Sequence, residues 1–101
     1  APALADAVED GAQPLRVRQE AALALGRIAT AREVERLAAV LRALASDVHP
    51  DAAQLRRAVV QGLARSTLPA AREALHAYAL EGPVEERPLA RWLLARGARA
   101  P

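Results

Sequence analysis

The spacing of apolar residues along the chain predicts amphipathic helices throughout. In the segment 31–45, Val34, Leu37 and Leu41 recur at spacings of three and four residues, which is the period of one face of an α-helix. The other long segments have the same period. The pattern predicts five main helices, over about 14–29, 31–45, 51–65, 68–81 and 84–96, with a short sixth helix over 3–9.

Capping residues mark the ends of these segments. Thr30 and Glu33 have the spacing of a capping box, in which each side chain satisfies a backbone N–H of the first helical turn. Asp51 and Gln54 repeat this spacing and are predicted to open the third main helix. Gly97 is predicted to stop the fifth. The loops between the segments are short, which predicts that successive helices are antiparallel.

Composition agrees with an all-α fold. Ala contributes 27 residues and Leu 15, whereas Phe, Met and Cys are absent. Ala and Leu are strong helix formers, while strands are enriched in β-branched and aromatic residues. Because so many side chains are small, neighbouring helices must approach closely to fill the core. The small residues at Ala24, Gly26, Gly62 and Ala64 are the predicted points of close approach.

The chain also repeats itself with an offset of 38 residues. The segment Val17–Arg27, VRQEAALALGR, aligns with Leu55–Arg65, LRRAVVQGLAR. The alignment places Leu25 on Leu63, and a third, shorter copy places Leu94 at the same position. Such a period is characteristic of repeat proteins, in which each copy is one supersecondary unit.

Three arginines occupy one position of the repeat: Arg18, Arg56 and Arg87. Each is predicted near the start of a helix, where the helix dipole disfavours a cation. We expect them to pair with Asp or Glu of a neighbouring repeat, or with the backbone carbonyls that close the preceding hairpin. Binding of phosphate is the alternative role.

The first copy resembles the HEAT-repeat family, particularly its short bacterial form. The residues that carry the resemblance are Val17, Arg18, Ala21, Ala24, Leu25, Gly26 and Ile28. The resemblance implies a single domain over 1–101, an α-solenoid of stacked antiparallel helical hairpins. Its parts are repeat one over about 14–48, repeat two over about 51–82 and a half repeat over about 84–97. The start at Ala1 is also compatible with a fragment of a longer protein.

The resemblance implies a non-catalytic scaffold that binds a protein partner. Helices 31–45 and 68–81 would form the concave face, and the last helix would form an open end at which the chain could also self-associate. The candidate partner-binding residues are Arg32, Glu35, Arg36, Arg42, Arg72, Glu73 and His76 on the concave helices, and Arg91 and Trp92 at the open end.

Two other functions stay open at this point. One is an accessory domain that binds nucleic acid or another polyanion through Arg, although a net charge of only +2 makes nucleic acid an unfavoured partner. The other is an enzyme subunit, because some HEAT-like folds are components of bilin lyases.

The residues themselves predict no chemistry. No catalytic, cofactor-binding or metal-binding residues are predicted, since His49 beside Asp47 and Asp51 is better explained as part of a loop. No apolar run approaches the roughly 20 residues that span a bilayer. No motif fixes the compartment, and a cytoplasmic location is favoured.

Overall fold

The computed structural model describes residues 2–99 and contains no strand within that range. The helices are α1 (Pro2–Glu9), α2 (Leu15–Ile28), α3 (Ala31–Leu44), α4 (Pro50–Arg65), α5 (Pro69–Glu81) and α6 (Arg87–Arg99). A 3₁₀ turn, Val84–Glu86, precedes α6. The all-α prediction is therefore confirmed, and so is the short helix at the start of the chain.

The starts of α3 and α4 use different caps. The carboxylate of Glu33 accepts from the backbone N–H of Thr30 at 2.8 Å, as the capping-box spacing predicts. At α4 the prediction is wrong, because the helix begins at Pro50 and its cap is His49 rather than Asp51. Nδ1 of His49 accepts from the backbone N–H of Asp51 at 3.0 Å. A neutral imidazole nitrogen can thus replace the carboxylate in satisfying a first-turn N–H.

Both ends of α6 differ from the prediction. Pro88 has no N–H to donate to the carbonyl of Val84, so an α-helical bond cannot form there. The N–H of Arg87 bonds to Val84 instead, which gives a 3₁₀ turn at the predicted helix start. Gly97 does not stop the helix, since α6 runs on to Arg99. No glycine within residues 2–99 has a positive φ, and Gly97 therefore lacks the left-handed conformation that ends helices.

Each helix contacts its successor and the helix after that. Helix α2 lies against α4, and α4 lies against α6. Likewise α1 contacts α3, and α3 contacts α5. Leu25, Leu63 and Leu94, which the repeat aligns, are all buried in the shared core. The radius of gyration is 12.3 Å and the extents are 38 × 29 × 18 Å.

Helices α2 and α4 meet at two glycines. A Cβ at Gly26 would overlap the carbonyl oxygen of Gly62 and lie 2.8 Å from the Cα of Gly62. A Cβ at Gly62 would in turn overlap the carbonyl oxygen of Ala22. Of the four predicted points of close approach, these two glycines are therefore confirmed. Ala24 is instead exposed on α2.

The three aligned arginines make equivalent contacts. Nε of Arg18 donates to the carbonyl of Val8 at 2.9 Å, near the end of α1. Nε of Arg87 donates to the carbonyl of Gly82 at 2.7 Å, just after α5. Nη1 of Arg56 donates to the carbonyl of Leu44 at 2.6 Å, at the end of α3. The predicted role is confirmed: each guanidinium group satisfies carbonyls at the end of the preceding helix, which lacks intrahelical donors for them.

Candidate partner-binding groove

A shallow apolar groove of about 170 Å³ runs between α3 and α5. It exists because the facing side chains are mostly Ala, which are too short to fill the space between the helices. Leu41 and Tyr78 are buried and form part of its floor. The lining residues are Ala38, Leu41, Arg42 and Ala45 of α3, and Ala74, Ala77, Tyr78, Glu81 and Gly82 of α5 and its end.

Two opposite charges border this groove. Arg42 stands on the α3 wall and Glu81 on the α5 wall, and both side chains belong to exposed residues. Neither forms an ion pair with another side chain among residues 3–97. Both charges are therefore available to a bound molecule. The groove offers apolar surface in the middle and one charge of each sign at its edges.

The floor of the groove is held by a polar network behind it. The hydroxyl of Tyr78 donates to the carboxylate of Glu86. Nη2 of Arg56 donates to the same carboxylate at 2.8 Å, and its Nη1 donates to the carbonyl of Asp47 at 2.9 Å. Because Arg56 is only 5% exposed, this network ties together α4, the end of α3 and the turn before α6. Tyr78 is thus fixed in position at the groove.

The network shifts the pKa values of its members. Burial alone would raise the pKa of Glu86, but the hydrogen bonds from Arg56 and Tyr78 outweigh it, so that pKa lies below its ordinary value. Burial, together with the bond to Glu86, raises the pKa of Tyr78. The hydrogen bond to Glu86 raises the pKa of Arg56. Glu86 is ionised and Tyr78 protonated at neutral pH, which are the states that the hydrogen bonds require.

The candidate residues predicted from the sequence are spread over the surface. Of the nine, only Arg42 lines the groove. The guanidinium group of Arg36 is bound to Asp6 and Glu9 of α1, and Nη2 lies 2.7 Å from Asp6. The other exposed candidates outside the groove are Arg32 and Glu35 on α3, Arg72, Glu73 and His76 on α5, and Arg91 and Trp92 on α6.

Most of the groove lies outside the residues that the sequence predicted. Ala74, Ala77 and Glu81 follow one another on α5 at helical spacings of three and four but are not among the candidates. Small residues at such spacings fit a close helix contact as well as an open groove, so the sequence carries no signal that separates the two.

Potential metal ligands are scattered over the part of the chain that the structure describes. Within that range, no group of three or more His, Cys, Asp or Glu is arranged to hold a metal ion. His49 is used as a helix cap, and His76 is exposed on α5. Among the helices of residues 2–99, none has both the length and the apolar character needed to cross a membrane.

Comparisons with known proteins assign neither a family nor a function to the chain. No family model, no curated protein and no solved structure matches the chain. The resemblance to HEAT repeats therefore rests on the internal repeat and its residues.

Proposed function

We propose that this protein is a non-catalytic interaction scaffold, built as a short HEAT-like stack that binds a protein partner on the α1–α3–α5 layer. Two findings support the stack. Helices two apart in the chain contact each other, which is how successive repeats meet. The contact from Arg18, Arg56 and Arg87 to the end of the preceding helix also recurs at each repeat.

The groove between α3 and α5 is the observation that carries the proposal. It lies on the helices that the HEAT resemblance assigns to the partner-facing side. Its volume of about 170 Å³ is smaller than the roughly 300–1,000 Å³ of small-molecule pockets. It suits one or two apolar side chains of a protein partner, with Arg42 and Glu81 selecting complementary charges beside them. Exposed Glu35 and Glu73 would add contacts at the rim.

Selection from a displayed peptide library tests the proposal. Peptides enriched on the wild-type chain should carry an apolar anchor flanked by one acidic and one basic residue. Ala77→Arg fills the groove while keeping a good helix former, so we expect binding of these peptides to weaken about tenfold or more. Isothermal titration calorimetry measures the change.

Ala43→Arg is the matched control, because Ala43 is exposed on α3 but does not line the groove. Its affinity for the peptides should stay within about twofold of wild type. The double exchange of Arg42→Glu with Glu81→Arg should reverse the preferred flanking charges. If no peptide is enriched, or if the two Ala→Arg variants behave alike, the groove is not the binding site.

A titration with duplex DNA at low and moderate salt tests the polyanion alternative. Binding through phosphate contacts would weaken steeply as salt rises. We expect no such binding, because Arg18, Arg56 and Arg87 already hold backbone carbonyls. Tight, salt-sensitive binding to DNA would replace the scaffold proposal.

A further inference from the structure

Helix α2 has an exposed apolar stripe. Val17 is 40% exposed, Ile28 is 57% exposed, and Ala24 between them is also exposed. Their spacings of seven and four residues place them on one side of the helix. Apolar side chains along one side of a helix usually face a neighbouring helix. None of the helices α1–α6 covers this stripe.

This stripe lies on the side of α2 opposite α4. Ala22 and Gly26 face α4 at the close approach to Gly62. Ala24 follows Ala22 by two residues, and Ile28 follows Gly26 by two. Two residues are slightly more than half a helical turn, so Ala24 and Ile28 lie on nearly the opposite side of α2. In the repeat alignment Ala24 corresponds to Gly62, at which α4 meets α2. The middle of the stripe is therefore equivalent to a position that α4 buries against α2.

Helix α6 has the complementary free side. Its register is fixed by Arg87 and Leu94, which match Arg18 and Leu25 in sequence and in their contacts. This register aligns Arg91 with Ala22, Trp92 with Leu23, and Ala95 with Gly26. On α2, the aligned residues face α4. All three residues on α6 are exposed.

Trp92 is the large apolar residue of this side. Its side chain is 55% exposed, and the guanidinium group of Arg96 covers one face of the ring at 4.8 Å from the ring centroid. Such a cation–π contact leaves the other ring face open to a partner. A half-exposed tryptophan with one free face is the kind of anchor that dominates binding at interfaces.

We propose that the occupant of these two sides is a second copy of this chain, stacked head to tail, so that α2 of one copy packs beside α6 of another as α6 packs beside α4. The helices lie further apart than at the α2–α4 glycines, because Ala24 and Ala95 carry a Cβ at the equivalent positions. This inference rests on the proposed HEAT-like stack. It follows from continuity with the helix contacts inside the molecule, since each side carries residues equivalent by the repeat to ones that contact the next helix within the chain.

Charge disfavours pairing through two α6 helices. The segment 87–99 contains four arginines and no acidic residue. Tail-to-tail contact would therefore bring like charges together.

The two joining surfaces differ, so the contact is heterologous and need not close at a dimer. Sedimentation equilibrium of the 101-residue chain should give a weight-average mass that rises with concentration over the micromolar to millimolar range. Trp92→Arg and Ile28→Arg should each weaken association about tenfold or more. Val48→Arg is the matched control, because Val48 is 97% exposed in the loop between α3 and α4.

Mixing the two interface variants gives the decisive result. Trp92→Arg keeps an intact α2 stripe, and Ile28→Arg keeps an intact α6 side. Each alone should be monomeric, but together they should form a 1:1 heterodimer that grows no further. Only the Ile28→Arg chain then carries a tryptophan, so its emission should shift to the blue as Trp92→Arg is added, because the indole leaves water.

Three results would overturn the inference. They are a wild-type chain that stays monomeric at every concentration, an Ile28→Arg chain that dimerises on its own, and a Val48→Arg chain as impaired as the interface variants. Circular dichroism of each variant verifies its fold. The groove is tested separately with peptides on monomeric Trp92→Arg, so loss of self-association and loss of partner binding are distinguishable.

Discussion

At the scale of single residues, Arg56 joins three parts of the chain through one guanidinium group. It donates to the carbonyls of Leu44 and Asp47 and to the carboxylate of Glu86, which is 30 positions away in sequence. The planar guanidinium fork can satisfy all of these acceptors at once, which a lysine ammonium on a flexible stem cannot do in the same geometry.

Replacing Arg56 by Ala should therefore cost about 3 kcal/mol of unfolding free energy, because two part-buried carbonyls and a part-buried carboxylate lose their donor. Urea unfolding followed by circular dichroism measures the loss. Arg57→Ala is the control, since Arg57 is the exposed neighbour and its removal should cost less than about 0.5 kcal/mol. Equal losses in the two variants would contradict the structural role of the network.

Glu86 makes stability depend on pH. Its pKa in the folded chain lies below the ordinary value of 4.5, because bonds from Arg56 and Tyr78 outweigh burial. A lowered pKa stabilises the fold above the ordinary value, and this stabilisation is lost as pH falls through the lowered pKa. The free energy of unfolding should thus decrease on acidification below about pH 4.5.

Glu86→Gln should have a lower stability at neutral pH and a flatter acid profile than wild type. Some slope should remain, because hydrogen bonds from Arg36 and Thr30 also lower the pKa values of Glu9 and Glu33. Urea unfolding at a series of pH values compares the two proteins. Parallel profiles for wild type and Glu86→Gln would show that Glu86 is not the titrating group.

At the scale of elements, the α2–α4 contact reverses the usual effect of replacing glycine in a helix. Gly→Ala in a helix interior normally stabilises by about 1 kcal/mol. At Gly62 the new Cβ would overlap the carbonyl oxygen of Ala22, and both helix backbones would have to move apart. Backbone atoms cannot turn aside as a flexible side chain can.

We expect Gly62→Ala to destabilise the protein by about 1–3 kcal/mol. Gly97→Ala is the matched control, because the nearest atom to a Cβ at Gly97 among the described residues is Nη1 of Arg72, at 3.4 Å. That substitution should stabilise α6 by as much as about 1 kcal/mol, less if the helix end frays. Thermal unfolding of both variants gives the comparison, and a stabilised Gly62→Ala would refute the close approach of α2 and α4.

At the scale of the whole molecule, α4 is the most enclosed helix. It contacts α2, α3, α5 and α6, whereas α1 packs chiefly on α2 and α3. In a structure held by contacts between neighbours, outer elements open locally at lower free energy than central ones. The two ends of the chain should therefore open before its centre.

Hydrogen–deuterium exchange should be slowest in α4 and faster in α1 and α6. The Trp92→Arg chain suits the measurement, because association would otherwise protect the ends. Arg36→Ala, which removes the contacts of Asp6 and Glu9 with α3, should speed exchange in α1 and leave α4 unchanged. Uniform exchange across the helices would instead mean that the chain opens only as a single unit.

Local signals along the chain suffice to predict the helices and part of the core. Apolar periodicity and capping residues are local signals, so they placed all six helices and the buried leucines Leu25, Leu63 and Leu94. The repeat also anticipated that Arg18, Arg56 and Arg87 hold carbonyls of the preceding helices. Local rules failed at helix ends: the cap of α4 is His49, a 3₁₀ turn precedes α6, and Gly97 does not stop α6.

Which surfaces face each other depends on how the helices pack, and no local pattern predicts it. The groove depends on the separation of α3 and α5, so the sequence pointed to Arg42 but not to Glu81 on the opposite wall. The hydrogen bonds from Arg56 to Glu86 and from Arg36 to Glu9 of α1 likewise join residues about 30 positions apart. The helical period of the apolar residues indicates which side of a helix is buried. The distance and register between two helices, in contrast, arise from how their side chains pack together.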